Sequence, residues 1–264
     1  MANFFEKTGR DTVDAIKSIG ATMEFLGRIL SAAVSGLVHS DKRRLPDFAL
    51  IFSRVGAEAV SVTLLIGFLL GFIIAYMSAV MLRQFGAEIY VASLIGLALV
   101  RELGTIVAAI VLASRSASAF AAEIGTMVVN DEISAMKTMG VNPVSYLALP
   151  RIVAGALALP LLSLFADFAG LAGGYLTLAM FGYSLKVFLA SAFSFCTIGN
   201  LLVSLAKGVV FGALIAGVGC QKGLETGIGS DAVGKATTSA VVSAIVLFIA
   251  ADGLFAIVFS LIGI

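Results

Sequence analysis

Residues 101–154 read "RELGTIVAAIVLASRSASAFAAEIGTMVVNDEISAMKTMGVNPVSYLALPRIVA". This stretch holds most of one apolar segment, about 91–122, and the start of another, about 146–180, with a short charged link between them. Each segment is long enough as a helix to cross the ~30 Å hydrocarbon core of a bilayer. The stretch therefore predicts two membrane-spanning helices that are joined on one side of the membrane.

The link predicts a short helix at about 125–142. Asn130 is a residue type that caps a helix N-terminus, and the acidic Asp131 and Glu132 would follow in the first turn, where they complement the helix dipole. Gly140 is a residue type that ends a helix. One side of this helix carries the apolar residues Ile133, Met136 and Met139. Such a helix suits a surface that a motor protein pushes, and it equally suits an ordinary surface helix.

The composition extends this interpretation to the whole chain. Of the 264 residues, 60% are hydrophobic and 12% are charged, whereas a soluble domain carries about 25% charged residues. The apolar runs long enough to span a membrane are about 55–82, 91–122, 146–180, 194–220 and 237–262. The predicted fold class is an all-α membrane protein with five transmembrane helices. A net charge of +1 gives no support for a nucleic-acid partner.

The chain before the first span has a different pattern. Residues 4–30 place apolar side chains at steps of three and four and mostly basic charges on the opposite face, which predicts an amphipathic helix. A basic polar face favours a helix that lies in the membrane surface, although a small cytoplasmic cap is the alternative. Residues 1–50 are thus expected to form an interfacial helix and a charged turn, and residues 51–264 the five-span domain.

Lysine and arginine residues in the links predict the orientation, because they concentrate on the cytoplasmic side. With a cytoplasmic N-terminus, only Arg83 and Lys186 fall outside. We therefore expect a cytoplasmic N-terminus and a C-terminus on the outer side. Residues 183–191 are expected to form a short helix on that outer side.

The stretch "GIGSDAVGKATT", residues 227–238, has the glycine and lysine spacing of a phosphate-binding loop at Gly229, Gly234 and Lys235. Such a loop needs a strand before it and a serine or threonine after the lysine. Here a membrane helix precedes the stretch, and Ala236 follows the lysine. The sequence therefore predicts a tight link between spans four and five rather than an ATP site.

Ionisable residues inside a span are costly and usually face a cavity or a partner. Those that lie away from the span ends are Arg101, Glu102, Arg115, Asp167, Lys207 and Asp252. Opposite charges at similar depth can pair, so Lys207 and Asp252 either fix helix packing or serve transport. The guanidinium fork of Arg101 suits a phosphate headgroup.

Small residues form ridges on two of the spans. In span two they recur every four positions at Ala113, Ala117, Ala121 and Gly125, and span three adds Gly170 and Gly174. Such ridges let helices approach closely, so we expect them to serve packing rather than ligand binding.

The chain from about residue 50 to its end closely resembles the MlaE-type (YrbE-type) permeases, the membrane subunits of MCE-associated ABC lipid transporters. The motifs that carry the resemblance are Arg101-Glu102-Leu103-Gly104, Arg115, Ser118-Ala119, Ala122-Glu123, Gly125-Thr126-Met127, Met139-Gly140-Val141, Pro143 and Pro150-Arg151. Residues 232–242, "AVGKATTSAVV", resemble the start of the family's last span. Thr105, Ser114 and Met77 depart from the family pattern, in which proline, glycine and glutamine are usual.

The resemblance implies a homodimeric permease in a bacterial inner membrane. It implies a cytoplasmic ABC ATPase that binds ATP and magnesium, so that this chain itself holds no cofactor and no metal. Further expected partners are a hexameric MCE-domain protein, a small STAS-type subunit and a periplasmic lipid carrier. The implied cargo is phospholipid, moved between the inner and outer membranes to maintain outer-membrane lipid asymmetry.

The resemblance also implies roles for particular residues. Those expected to couple to the ATPase are Glu123, Gly125, Thr126, Asp131, Glu132, Met136, Met139 and Gly140. Those expected to line a lipid cavity are Arg101, Glu102, Ile74, Met77, Met81 and Leu82. Lys207 and Asp252 form an expected intramembrane charge cluster. The alternatives from other classes are a proton-coupled secondary transporter that uses Glu102, Lys207 and Asp252, and a membrane scaffold that does not transport.

Overall fold

The computed structural model describes residues 45–262 and, before them, Gly20 and Gly27. The interfacial helix predicted at 4–30 therefore lies outside the described residues. Within 45–262 the chain forms seven helices and no strand. They are α1 (Leu45–Arg83), α2 (Tyr90–Val129), α3 (Glu132–Thr138), α4 (Val144–Met180), α5 (Leu185–Ser194), α6 (Ile198–Leu224) and α7 (Ser230–Ile262).

Five of these helices, α1, α2, α4, α6 and α7, are long and apolar enough to cross a membrane, which confirms the five predicted spans. The short helix predicted at 183–191 is also confirmed, as α5. The long helices extend past the apolar runs: α1 begins at Leu45, α2 ends at Val129 and α7 begins at Ser230. An apolar run marks only the part of a helix that meets hydrocarbon, so it does not include the polar turns at the helix ends.

The start of α3 differs from the sequence prediction. Asn130 is the C-terminal flanking residue of α2, and its N–H donates to the carbonyl of Thr126. Asp131, with a left-handed backbone at φ 59°, is the residue that precedes α3, and its side chain makes no capping hydrogen bond. The prediction of Asn130 as the N-cap was therefore wrong. It failed because α2 continues two turns beyond its apolar run, which leaves a single sharp turn between the two helices.

The end of α3 follows the prediction. Gly140 has φ 76°, a left-handed conformation that glycine adopts without a steric penalty. The N–H of Gly140 donates to the Lys137 carbonyl, and the N–H of Val141 donates to the Met136 carbonyl. This pair of hydrogen bonds is the Schellman arrangement, which satisfies carbonyls at a helix C-terminus. The link between α3 and α4 is thereby fixed in direction.

The long helices differ in how deeply they are buried. In the most apolar stretch of α1 and α7, 22% and 17% of the residues are buried, against 50–56% for α2, α4 and α6. Helix α1 packs along α4, α4 packs on α6, and α6 contacts α2 and α7. The bundle therefore has three inner helices and leaves α1 and α7 with large exposed apolar faces.

Small residues allow the closest helix crossings. A Cβ added to Gly71 of α1 would clash with the carbonyl of Gly170 in α4. A Cβ added to Gly219 of α6 would come within 2.7 Å of the carbonyl oxygen of Ala117, and one on Gly223 within 2.8 Å of the Ile124 side chain. The prediction that the ridges of α2 and α4 serve helix packing is confirmed.

Candidate functional site

Two π-helical turns interrupt α2, at Leu99–Leu103 and at Ala113–Ala117. The first carries Arg101 and Glu102, and the second carries Arg115. A π turn inserts one residue into a helix, which changes the direction of the side chains around it, and such turns are frequent at functional sites. The charged residues of α2 thus lie where the helix geometry is locally altered.

The first π turn brings Glu102 to a charge cluster formed by Glu102, Lys207 and Asp252. The Lys207 Nζ donates to Glu102 Oε2 at 2.6 Å and to Asp252 Oδ1 at 3.1 Å. Lys207 is 1% exposed, and its ammonium lies 5.9 Å from the centre of the Phe259 ring. The cluster ties α6 to α2 and α7 in the half of the bundle away from α3. The sequence paired Lys207 with Asp252 and grouped Glu102 with them only in the proton-coupled alternative, whereas the resemblance implies a lipid cavity for Glu102. The structure brings all three side chains together.

Arg101 lies beside this cluster. Its Nε is 4.0 Å from Glu102 Oε1, and its side chain is about one-third exposed. Including Arg101, the local group contains two cations and two carboxylates and is electrically balanced. Arg101 and Glu102 are equally exposed. Of these two, the arginine can donate two parallel hydrogen bonds to a phosphate.

Asp167 of α4 stays outside the cluster. It is buried, and neither of its carboxylate oxygens has a hydrogen-bond partner. It packs against Gly104, one residue after the first π turn, where a Cβ would clash with its Oδ1. The residue after Gly104 is Thr105, and its hydroxyl forms a 2.7 Å hydrogen bond with the Ser204 hydroxyl that joins α2 to α6. The sequence had identified Asp167 as an ionisable residue within a span but assigned it no partner.

The four α1 residues assigned to a lipid cavity divide into two pairs. Ile74 and Leu82 are half-buried and pack against the apolar cluster that α2, α4 and α5 form at the end away from α3. Met77 and Met81 are 62% and 65% exposed. Only the two methionines therefore lie on the open face of α1, where an apolar partner or cargo can contact them.

At the opposite end, where α3 lies, Glu123 is the centre of an ion-pair network. Its carboxylate accepts from Arg54 of α1 at 3.1 Å and from Arg151 of α4 at 2.9 Å. The Arg151 guanidinium also lies over the Phe120 ring at 5.6 Å. Glu123 therefore holds α1, α2 and α4 together within this chain, two turns before α3.

The other residues assigned to coupling lie on both sides of that turn. Gly125 packs against Thr226 at the end of α6, and the Thr126 hydroxyl donates to the Ala122 carbonyl. In α3 only Ile133 is buried and Met136 is half-buried, and Met139, directly after α3, is 70% exposed. Asp131, Glu132 and Gly140 are exposed. Helix α3 is thus anchored by one isoleucine and presents the rest of its surface outward.

The stretch 227–238 begins as a link and continues as a helix. Gly229 turns the chain with φ 97°, and Ser230 starts α7, so that Gly234 and Lys235 lie inside the helix. The sequence had placed both in the link. The preceding element is α6, a helix and not a strand. The geometry is therefore that of a turn between two membrane helices and not that of a phosphate-binding loop.

This architecture and these motifs match known proteins. The family described as Permease MlaE matches residues 49–258. The chain belongs to the MlaE permease family. A probable ABC transporter permease protein of Rickettsia typhi is 30% identical over 250 residues, covering 94% of this chain and 95% of that protein. A probable ABC transporter permease protein of Synechocystis is 35% identical over 192 residues, covering 72% and 73%.

A plant protein is also similar to this MlaE permease. The chloroplastic protein TRIGALACTOSYLDIACYLGLYCEROL 1 of Arabidopsis thaliana is 36% identical over 170 residues, covering 64% of this chain and 49% of that protein. The family and the five long apolar helices together establish a multi-pass membrane protein that is a permease of the ABC transporter type. An ABC permease works with an ATPase partner.

Some residues of the site gave no usable signal in the sequence. The π turns do not follow from residue type, since their residues also fit an α-helix. Glu58 of α1 pairs with Arg115 at 3.4 Å, yet in the sequence it stands as a single charged residue near the start of the first apolar run, about 55–82. The charge of Arg115 within span two was the only hint that an opposite charge had to lie near it.

Proposed function

We propose that this permease moves phospholipid between the inner and outer membranes of a bacterial envelope and so maintains outer-membrane lipid asymmetry. It works as a homodimer in the inner membrane, with its N-terminus in the cytoplasm and its C-terminus in the periplasm. A cytoplasmic ABC ATPase binds ATP and magnesium and acts on α3. A hexameric MCE-domain protein, a small STAS-type subunit and a periplasmic lipid carrier complete the system.

The observation that carries the proposal is the construction of α3. Helix α3 has one buried residue and ends in a Schellman turn, and the exposed Met139 follows it directly. It follows α2 after a single turn, so a force on α3 is transmitted directly to the span that carries Arg101, Glu102 and Arg115. Such a helix is suited to transmit nucleotide-driven motion of a partner to the membrane helices.

A lipid as the cargo, the class to which phospholipid belongs, is supported by two features. The printed name of the plant relative contains a galactosyl diacylglycerol, which shares its diacylglycerol part with phospholipids. The exposed face of α1 offers Met77 and Met81, flexible side chains that adapt to irregular apolar surfaces. In the dimer we place this face and Arg101 at the lipid cavity, with the Glu102–Lys207–Asp252 cluster fixing the helices around it.

Met139→Glu tests the role of α3. The change puts a charge on the exposed side of α3, and we expect recovery of the ATPase with the tagged permease to fall by about tenfold or more, as for an apolar side chain at the centre of an interface. Co-purification from the native membrane measures this. The matched control is Met180→Glu, because Met180 is equally exposed at the end of α4 away from α3. Equal ATPase recovery with the two variants would contradict the assignment of α3.

Arg101→Gln tests the lipid cavity. The loss of one charge-assisted hydrogen bond to a phosphate should lower the phospholipid that co-purifies with the permease by about tenfold. Lipid extraction and mass spectrometry of the purified complex measure the amount per chain. Arg83→Gln, at the end of α1, is the control and should leave it unchanged. Loss of lipid with both variants would point to a general loss of charge and not to a site at Arg101.

A further inference from the structure

A small cavity opens between α1 and α2 at the end of the bundle where α3 lies. It has a volume of about 260 Å³. Two arginines and two glutamates line it, Arg54 and Glu58 from α1 and Arg115 and Glu123 from α2, with Phe120 at its base. The cavity is smaller than the pockets of about 300–1,000 Å³ that enclose drug-sized ligands, so it fits a compact polar group.

The cavity lies at the depth of lipid headgroups. In α1 the uncharged stretch 59–82 follows Glu58. In α2 the residues 91–114, in which Arg101 and Glu102 are the only charges, precede Arg115. Each stretch of 24 residues is ~36 Å long as a helix, enough for a ~30 Å hydrocarbon core crossed at a tilt. Glu58 and Arg115, which pair at 3.4 Å, therefore mark the boundary between hydrocarbon and headgroups on the α3 side.

The ion pairs across the cavity are of a kind that a ligand can replace. The Arg115 and Glu58 side chains are 44% and 60% exposed, and Arg54, at 3.1 Å from Glu123, is 59% exposed. Exposed pairs of this kind contribute only about 0–1 kcal/mol. Glu123 also accepts a hydrogen bond from Arg151, whose side chain is much less exposed. A ligand can thus separate Arg54 and Arg115 from their carboxylates while Glu123 stays in place.

We propose that this cavity binds the headgroup of a phospholipid that carries both a phosphate and a primary amine, of the phosphoethanolamine type. This inference rests on the proposed function, since it names the class of lipid that the permease takes up. Arg54 and Arg115 donate hydrogen bonds to the phosphate. The ammonium donates to Glu58 and Glu123, so each separated ion pair is replaced by a new one.

Other headgroups fit the cavity less well. An anionic headgroup without an amine brings its phosphate to the arginines but leaves Glu58 beside a like charge. A quaternary ammonium cannot donate hydrogen bonds, and its recognition needs several aromatic faces. Among the described residues that line the cavity, Phe120 is the one aromatic, and Arg151 already covers its ring. The cavity therefore selects for a primary amine.

A photoreactive benzoylphenylalanine at Ala119 tests the proposal in the full-length chain. Ala119 is exposed and lines the cavity, whereas Ala57 is exposed on α1 at a similar depth and does not line it. Both variants are irradiated in bacterial membranes that contain phosphatidylethanolamine and phosphatidylglycerol. We expect the ratio of ethanolamine to glycerol lipid adducts to be about 2- to 5-fold higher at 119 than at 57, the factor that exposed ion pairs support.

Substitutions in the cavity make the test specific. Glu58→Gln should lower the ratio at 119 to the value at 57, and Glu88→Gln, at the other end of the bundle, should leave it unchanged. Equal ratios at 119 and 57, enrichment of phosphatidylglycerol, or adducts to another part of this chain in place of lipid would each overturn the proposal. If the ethanolamine preference is absent while ATPase recovery and bound phospholipid are normal, this inference fails and the proposed function stands.

A competition arm identifies the source of the headgroup. Glycerophosphoethanolamine, which has the same headgroup and no acyl chains, is added to the membranes before irradiation. We expect the lipid adduct at 119 to persist, because the leaflet supplies the lipid at high local concentration. Loss of the adduct would show that the cavity takes a soluble compound, and that result would overturn the assignment to a membrane lipid.

Discussion

Replacement of Lys207 by methionine should destabilise the permease more than any other single change of a charged residue that we describe. Lys207 is fully buried and is the common partner of Glu102 and Asp252. Its removal leaves two carboxylates without their cation, and loss of one partner from a buried ion pair costs about 3–5 kcal/mol. Because Glu102 and Asp252 keep some exposure, we expect about 3 kcal/mol, the lower end of that range.

The apparent melting midpoint of the detergent-solubilised chain measures this effect, and a fall of about 5–10 °C is expected for a chain of this size. Lys186→Met, on the exposed surface of α5, is the matched control and should have the same melting midpoint as the unchanged protein. Combining Lys207→Met with Glu102→Gln and Asp252→Asn should restore most of the midpoint, since neither carboxylate is then left without the lysine that it pairs with. A triple variant as unstable as Lys207→Met alone would contradict the ion-pair explanation.

This cluster also shows how far the sequence carries a site prediction. Apolar runs located the five spans, because hydrocarbon thickness imposes a minimum length on each of them. Charges inside those runs located the residues that need partners. The pairing of Lys207 with Asp252 followed from their similar depth, but that of Lys207 with Glu102 did not. These two residues are 105 positions apart in the chain, and the π turn that directs Glu102 depends on how α2 packs against its neighbours.

The α3 end gives the complementary case. The end of α3 at Gly140 was predicted from residue type alone, because few residues besides glycine adopt the left-handed conformation that follows a helix. The structure adds that this end is a Schellman turn. The turn at Asp131 was not predicted, because Glu123, Gly125 and Thr126 interrupt the apolar run of α2 without ending the helix. Arg54 directly precedes the first apolar run and Glu58 lies near its start, so their role in a cavity emerged only when α2 was placed beside them.

Gly71→Val should have a comparable effect on stability through packing alone. Helices α1 and α4 cross at Gly71 and Gly170, where a Cβ on Gly71 would clash with the backbone carbonyl of Gly170. A backbone carbonyl cannot change rotamer to make room, so α1 must move away from α4 along the crossing. Overpacking of this kind costs about 1–3 kcal/mol for a side chain that can adjust, and we expect at least the upper end here.

The control lies on the same helix. A Cβ on Gly56 meets no atom within 4 Å, so Gly56→Val adds the same side chain to α1 without a clash. The melting midpoints of the two variants, with their elution as single species from a sizing column, separate packing from helix propensity. If Gly71→Val has the same melting midpoint as Gly56→Val, the close crossing of α1 and α4 does not exist in the membrane. A lower midpoint for Gly71→Val alone means that α1, although mostly exposed, is held to the bundle by backbone contact at this crossing.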